Sequence, residues 1–385
     1  MKKVFITIAL VLLSTTLVFA SPLRFVFGDL GQHAEILGGF LPSYFMGGVG
    51  VELPSIVDGS KTELQFLVGA GYNQRKLWQD PTDGTQINDN PLIYDVIQTD
   101  WSIRFAQGFL DSPVQGKDLI TLTAKYDGKF ELAKDSMVVG KERVNNSKNE
   151  VAKLDSWLES KDSDIYPELC GNRMHIGTIF GLQAKVDLMD DQKTSTDGFV
   201  AKVDALYAPN LFNRLLNGHS DFYQFSLNTV GAKTLYRLNE NGFDLFTIVF
   251  IDRINIGYLN GKAVPAYASG PFSLGRKVRG FNTWTYNTEF AVVNNLDLRF
   301  AGPSFKGIFP RINLFIDCGY GAGDYTNSSI SSGKGNFLSS TGIQATVSFF
   351  DFIDLGYQVA YLITGDNFVN HGSKIVGSFT FFLDF

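Results

Sequence analysis

From about residue 22 onward the chain keeps one rhythm. Segments of roughly 9 to 16 residues alternate apolar and polar side chains, and Gly/Asn/Asp-rich turns separate them. Fourteen such segments can be drawn, at 22–29, 43–52, 62–76, 99–108, 117–130, 174–187, 196–208, 222–238, 243–258, 284–300, 307–321, 336–350, 352–364 and 373–385. The alternation is clearest late in the chain. In 284–300, Glu289, Asn295, Asp297 and Arg299 share one face. Phe290, Val292, Leu296, Leu298 and Phe300 share the other, with Asn294 as a polar exception among them. In 307–321, Ile312, Leu314, Ile316 and Cys318 oppose Arg311, Asn313, Asp317 and Gly319. In 352–364, Leu355, Tyr357, Val359, Tyr361 and Ile363 oppose Gly356, Gln358 and Thr364. A period of two puts successive side chains on opposite faces of a sheet. Over about ten residues it is the pattern of a barrel strand crossing a membrane, apolar toward lipid and polar toward the lumen. A soluble β-sandwich alternates in the same way, so the pattern alone leaves both open.

The connections favour the barrel. Counted from the C-terminus they alternate between short (351, 301–306, 239–242, 188–195, 109–116, 53–61) and long (365–372, 322–335, 259–283, 209–221, 131–173, 77–98, 30–42). Outer-membrane barrels have short periplasmic turns and long extracellular loops, whereas a sandwich has no reason to sort its loops. Closure also removes the strand edges that lipid could not satisfy. The expected fold is therefore all-β, a transmembrane antiparallel β-barrel of about 14–16 strands over residues 21–385. Its last strand puts Ile375, Gly377, Phe379, Phe381, Leu383 and Phe385 on the lipid side. An aromatic terminal strand of this kind resembles the signal by which outer-membrane barrels are handed to their assembly machinery, which makes Phe381, Leu383 and Phe385 candidate signal residues.

Residues 1–20 read as a secretory signal. Lys2 and Lys3 form its basic start, Val4 to Leu13 its apolar core, and Val18-Phe19-Ala20 its cleavage site before Ser21. Barrel strands are expected to follow almost directly after Ser21, with no room for a periplasmic domain between them and the leader. Cys170 and Cys318 cannot form a disulfide framework for 385 residues. A composition 44% hydrophobic and 14% aromatic excludes intrinsic disorder. Beyond the leader no run of about 18 apolar residues offers a spanning helix. The net charge of −6, more negative still without Lys2 and Lys3, gives no footprint for nucleic acid.

Residues 131–173 break the rhythm with dense Lys, Glu and Asp. Within them Ser147 and Glu150 are spaced as a capping box ahead of Val151, Leu154, Trp157 and Leu158, which share one helical face. This segment is either a solvated loop with a helical turn or a helix that folds over the barrel mouth. A hidden hairpin here would bring the strand count to sixteen.

The long connection 259–283 contains Val278-Arg279-Gly280-Phe281, preceded by Ser269-Gly270-Pro271 and Gly275. Downstream stand Leu296-Asp297-Leu298-Arg299-Phe300 and Phe315-Ile316-Asp317-Cys318-Gly319. Together, over about residues 243–385, these resemble the BamA/TamA and two-partner-secretion superfamily, the bacterial surface antigen type of outer-membrane barrel. The resemblance implies a loop carrying (V/I)-R-G-(F/Y) that folds back into the lumen. It makes Arg279 the loop arginine and Asp297 and Asp317 its acidic partners on the next two strands. Both aspartates fall on the lumen side by the alternation above. The chemistry fits, because a guanidinium in a narrow lumen needs carboxylates to offset its desolvation. The superfamily also implies polypeptide-transport-associated (POTRA) modules before the barrel and sixteen strands, neither of which the segments show.

No enzyme is expected. The histidines His33, His175, His219 and His371 have no metal-ligand spacing, and there is no G-x-S-x-G elbow or phosphate loop. His371 and Ser373 share the lipid-side parity at the rim of the last strand, but no third residue orients the His. Neither metal nor cofactor is expected. The resemblance implies a role in outer-membrane protein assembly or translocation through a seam between first and last strands, which Gly372 and Gly377 would weaken. Its partners would be membrane lipid, the assembly machinery, client barrels and accessory subunits. The alternative is a diffusion pore or a structural barrel.

Overall fold

The structure, a computed structural model, describes residues 24–26, 35–37, 41–56, 60–77, 92–114, 117–135, 173–190, 196–216, 218–240, 243–265, 268, 274–281, 288–323, 336–349, 353–364 and 373–383. The leader 1–20, the capping box and helical face at 147–158, Cys170, His33, His371 and Phe385 lie outside the described residues.

Each of the fourteen alternating segments holds a strand, and one three-residue strand joins them. In order they are β1 (Arg24–Val26), β2 (Glu35–Leu37), β3 (Leu41–Leu53), β4 (Thr62–Leu77), β5 (Leu92–Asp111), β6 (Asp118–Asp135), β7 (Met174–Asp187) and β8 (Gly198–Ala208). They continue with β9 (Asp221–Glu240), β10 (Phe243–Lys262), β11 (Phe290–Ala301), β12 (Ile308–Ala322), β13 (Asn336–Phe349), β14 (Ile353–Thr364) and β15 (Ile375–Leu383). From β3 to β15 every strand pairs antiparallel with its sequence neighbour, while β1 and β2 both pair with β3. Among the described residues no pairing joins β15 back to β1, β2 or β3, so the sheet has two ends.

The two faces of this sheet are inverted relative to a soluble protein. Phe66, Leu122, Leu182, Val203, Phe225 and Tyr357 are exposed, whereas Ser102, Asp204, Gln224, Asn295 and Gln358 are buried. On β12 the step from one residue to the next makes the point, with Ile316 at 51% and Asp317 at 0% exposure. Large apolar side chains on the outside and polar ones within suit a sheet whose outer solvent is hydrocarbon. The short connections (54–61, 112–117, 188–197, 241–242, 302–307, 350–352) lie at one end of the strands and the long ones at the other. That sorting distinguishes a periplasmic from an extracellular rim.

Some limits differ from expectation. β5 begins at Leu92 and β6 runs on to Asp135, so the connections on either side are shorter than the pattern indicated. β11 begins only at Phe290, and β10 continues to Lys262 because its end stays paired with Asp221–Gln224 of β9. Gly377 does not leave the last strand bare, since the Tyr357 hydroxyl occupies the space where its side chain would be. An aromatic ring laid over a strand glycine shields the backbone there.

Candidate functional site

The connection between β10 and β11 turns inward. Leu274–Lys277 form a single helical turn, and the Val278 N–H donates to the Leu274 carbonyl at 2.8 Å. Leu274, Val278 and Phe281 are buried against Ala291 and Val293 of β11, Leu338 of β13 and Leu362 of β14. The loop therefore carries its own apolar foot, which seats on the lumen side of the wall. Asn295 of β11 donates to the Lys277 carbonyl at 2.9 Å and fixes the end of the helical turn.

This seating places Arg279 between the two aspartates. Asp317 accepts three hydrogen bonds from Arg279: from the backbone N–H at 2.9 Å, from Nε at 2.8 Å and from Nη2 at 2.7 Å. The same Nη2 donates to Asp297 at 2.7 Å. Asp297 is also paired with Arg253 of β10. Two guanidinium groups thus meet two carboxylates, a charge-neutral quartet in which each buried ion has a partner. Burial works to lower the Arg279 pKa, but the hydrogen bonds and charges of Asp317 and Asp297 outweigh it and hold it above its ordinary value.

The rest of the two motifs has a physical reason beside the charges. The Phe315 ring lies under the guanidinium, 3.8 Å from its carbon, as a stacked cation–π platform. Gly319 leaves room for the loop, since a Cβ there would sit 2.8 Å from Val278 Cγ2. Gly280 has φ +93°, and a Cβ on it would come within 2.8 Å of Ala360 Cβ and 2.9 Å of Leu362 Cδ2 on β14. Only glycine meets both demands without strain. The Phe-x-Asp-x-Gly spacing of β12 thus supplies platform, anion and clearance on one face at successive alternate positions.

Val278, Arg279, Gly280, Phe281, Asp297 and Asp317 are all brought together. Phe381 and Leu383 stand elsewhere, on β15 opposite Leu355 and Ile353 of β14. Arg253 and Asn295 belong to the site but stand in no motif, and Phe315 stands in the Phe-x-Asp-x-Gly stretch without any sign there that its ring would carry the guanidinium. Arg253 sits on β10 directly opposite Asn295 and diagonal to Asp297, a relation visible only once the register is known. Among the described residues no three His, Cys, Asp or Glu side chains are grouped to hold a metal ion.

The other end of the lumen side is also occupied. Met189, in the short connection between β7 and β8, is buried with Ala232 of β9 and Val249 and Ile251 of β10. Gly198 makes the return possible with φ +126°, since a side chain there would meet Met189 Cα at 2.7 Å. Beside it, Asp197 accepts hydrogen bonds from Lys233 at 2.8 Å and from the Thr234 hydroxyl at 2.6 Å. The Lys233 contact, then the Thr234 hydroxyl, holds the Asp197 carboxyl at about 2, below its ordinary range. A depressed carboxylate stabilises the folded state fully above its unfolded pKa of about 4 and loses that contribution as pH falls toward 2. Asp197→Asn should accordingly unfold at a lower temperature than wild type at pH 6, with the gap closing between about pH 4 and 2. A gap independent of pH in a melting series would remove Asp197 as its source.

No protein-family model matches the sequence, and no curated protein matches it. Among solved structures, the chain is similar to BamA from Haemophilus ducreyi lacking POTRA domains 1–3. The TM-score is 0.51 at 13% identity, over 88% of this chain and 62% of that one. CdiB from Escherichia coli is similar at a TM-score of 0.47 and 8% identity, over 88% of this chain and 53% of that one. A bacterial polysaccharide outer membrane secretin follows at 0.32 and 8%, over 89% and 91% of the two chains. The chain spans less than two thirds of the length of the BamA and CdiB chains that it matches. What the BamA likeness shows is the fold, a transmembrane antiparallel β-barrel of the outer-membrane kind.

Proposed function

We propose that the chain works in the outer membrane as a BamA/TamA-type barrel that assembles or translocates other outer-membrane proteins. The observation that carries this reading is the loop locked to the lumen wall by Arg279, Asp297 and Asp317. A loop fastened to the lumen wall takes up space that a general diffusion pore keeps for its solutes. Met189 folded against the opposite end of the wall supports the same reading. The chemistry would then take place at the seam between the two ends of the sheet. Among the described residues, an edge of unpaired N–H and C=O groups runs along β15 and along residues 45–49 of β3, between its pairings with β2 and β1, and such an edge can template an incoming client strand by β-augmentation. On the β3 side, Gly48 stands directly opposite Gly69 of β4, so no pair of side chains clamps these strands at that point. The partners of this reading are membrane lipid, the machinery that inserts the barrel itself, client barrels and accessory subunits.

The second reading is a diffusion pore or a structural barrel. The lumen-side charges Arg104, Lys125, Lys185 and Lys202 on β5 to β8, with Asp204 3.0 Å from Lys125, suit a hydrated wall. Depleting the protein in its host and quantifying the other outer-membrane barrels separates the two. A joint fall of those barrels at constant inner-membrane protein is the expected result. Steady levels would overturn the assembly role, and planar-bilayer conductance of the purified barrel then tests the pore.

A further inference from the structure

The wall is stepped at the extracellular end of β8. That strand stops at Ala208, and its last pair sets Tyr207 opposite Phe180 of β7. β7 continues past that pair from Ile179 up to Met174, where among the described residues no strand lies beside it on this side. The connection to β9 fills the place. Asn213–Leu216 form one 3-10 helical turn that packs against β7, and the Leu215 N–H donates to the Phe212 carbonyl at 3.1 Å. Thr178 shares the outward parity of Phe180 and Leu182, yet it is buried while they are exposed. The chain leaves β8 toward the same side. The Tyr207 hydroxyl and the Asn210 N–H both donate to Asp221 at 3.3 Å, and Asp221 shares the outward parity of Tyr223 and Phe225. The turn therefore lies on the outer face of the wall.

Its own pattern fits lipid and not water. In a 3-10 turn, residues three apart stand one above the other. Asn213 and Leu216 make the inner row, the first buried and the second half-buried. Phe212 and Leu215 make the outer row, 41% and 74% exposed, with Leu211 beside them at 54%. A contiguous apolar patch of this kind marks an interaction surface. Next to it, Tyr207 stands directly opposite Tyr223, whose ring packs on Tyr258 at 6.1 Å and Phe225 at 6.0 Å. Tyrosines on the outer face at the end of barrel strands mark the depth of the lipid headgroups. The patch thus continues the lipid-facing wall at its aromatic band. Arg214, exposed within the turn, has no carboxylate partner among the described residues.

We propose that this turn is an interfacial lipid site, in which Leu211, Phe212 and Leu215 enter the acyl layer of the outer leaflet and Arg214 takes the phosphate of an anionic headgroup. An apolar wedge beside a guanidinium matches such a lipid on both counts, hydrocarbon and charge. The inference rests on the lipid-facing reading of the outer wall and is independent of the assembly role.

The test puts a nitrobenzoxadiazole label on the turn of the full mature chain, as Leu215→Cys in a Cys170→Ala/Cys318→Ala background refolded into vesicles. Leu182→Cys, on the outer face of β7 within the wall, is the control for hydrocarbon depth. With phosphatidylcholine brominated on its acyl chains, both labels should be quenched, Leu215→Cys most by bromines near the headgroup and Leu182→Cys most by deeper ones. Brominated phosphatidylglycerol should quench the Leu215→Cys label further, and Arg214→Gln should abolish that gain. A label at 215 that aqueous iodide quenches and no brominated lipid does, with the control still quenched, would overturn the site while leaving the wall intact. Loss of quenching in the control as well would overturn the lipid-facing wall and the inference with it. Equal quenching by the two lipids, or a gain that survives Arg214→Gln, would overturn the anionic lipid as the ligand.

Discussion

Arg279→Ala is expected to destabilise the refolded barrel more than any other single change in the lumen wall, by about 3–5 kcal/mol. The reason is what the substitution leaves behind. Asp297 keeps Arg253 as a partner, but Asp317 is fully buried and loses all the side-chain donors that Arg279 gave it. Asp317→Ala costs less in this scheme, because Arg279 retains Asp297 and its stacking on Phe315. The double variant Arg279→Ala/Asp317→Ala should therefore be more stable than Arg279→Ala alone, since no bare carboxylate remains. Such a departure from additivity is the signature of direct coupling. Heat-modifiability gels or denaturant titration in micelles would measure all three. Unfolding temperatures unchanged in both single variants would sink the idea of a locked loop.

Gly342→Val should produce the second large effect, although it touches neither charge. Gly342 of β13 lies directly opposite Phe315 of β12. A Cβ at this position would press on the Val359 carbonyl and lie 2.7 Å from Phe315 Cζ. The backbone cannot yield cheaply within a sheet, so the ring must move, and overpacking of this kind costs about 1–3 kcal/mol. Moving the ring withdraws the platform beneath Arg279. The loop should then become a substrate for trypsin at Arg279 in the folded barrel, where the wild-type loop resists cleavage. If the variant melts earlier but its loop stays protected, the cost is one of packing alone and Phe315 does not hold the arginine.

The strands were legible because lipid on one side and a polar lumen on the other impose a strict period of two, and the chain obeys it wherever the wall meets both. Legibility failed where that contrast is lost. At the start of β5, Asp95 and Gln98 occupy opposite parities and are both buried, so Leu92–Gln98 shows no alternation although it is paired. In the site, Arg279, Asp297 and Asp317 could be named from short motifs in chain order. Arg253, Phe315 as a platform and Gly342 as its clearance could not, because each acts across strands and depends on register. A glycine within a strand reads only as a weak point until its neighbour's ring is found over it. The inward fold of Met189 was hidden for a related reason, since a short turn next to a rim gives no sign of which way it folds.

The contacts of the loop reach four successive strands, through Asp297 on β11, Asp317 and Phe315 on β12, Leu338 on β13, and Ala360 and Leu362 on β14. A slip of one residue in any of these pairings would turn the whole strand over and send its contribution into lipid. The latch can then close only after all four strands have found their register. Its closure would be among the last events of folding, and a misregistered wall would be left with an exposed, protease-sensitive loop. Fastening the loop would thus serve as a check on the finished sheet, one that a cell could read from outside.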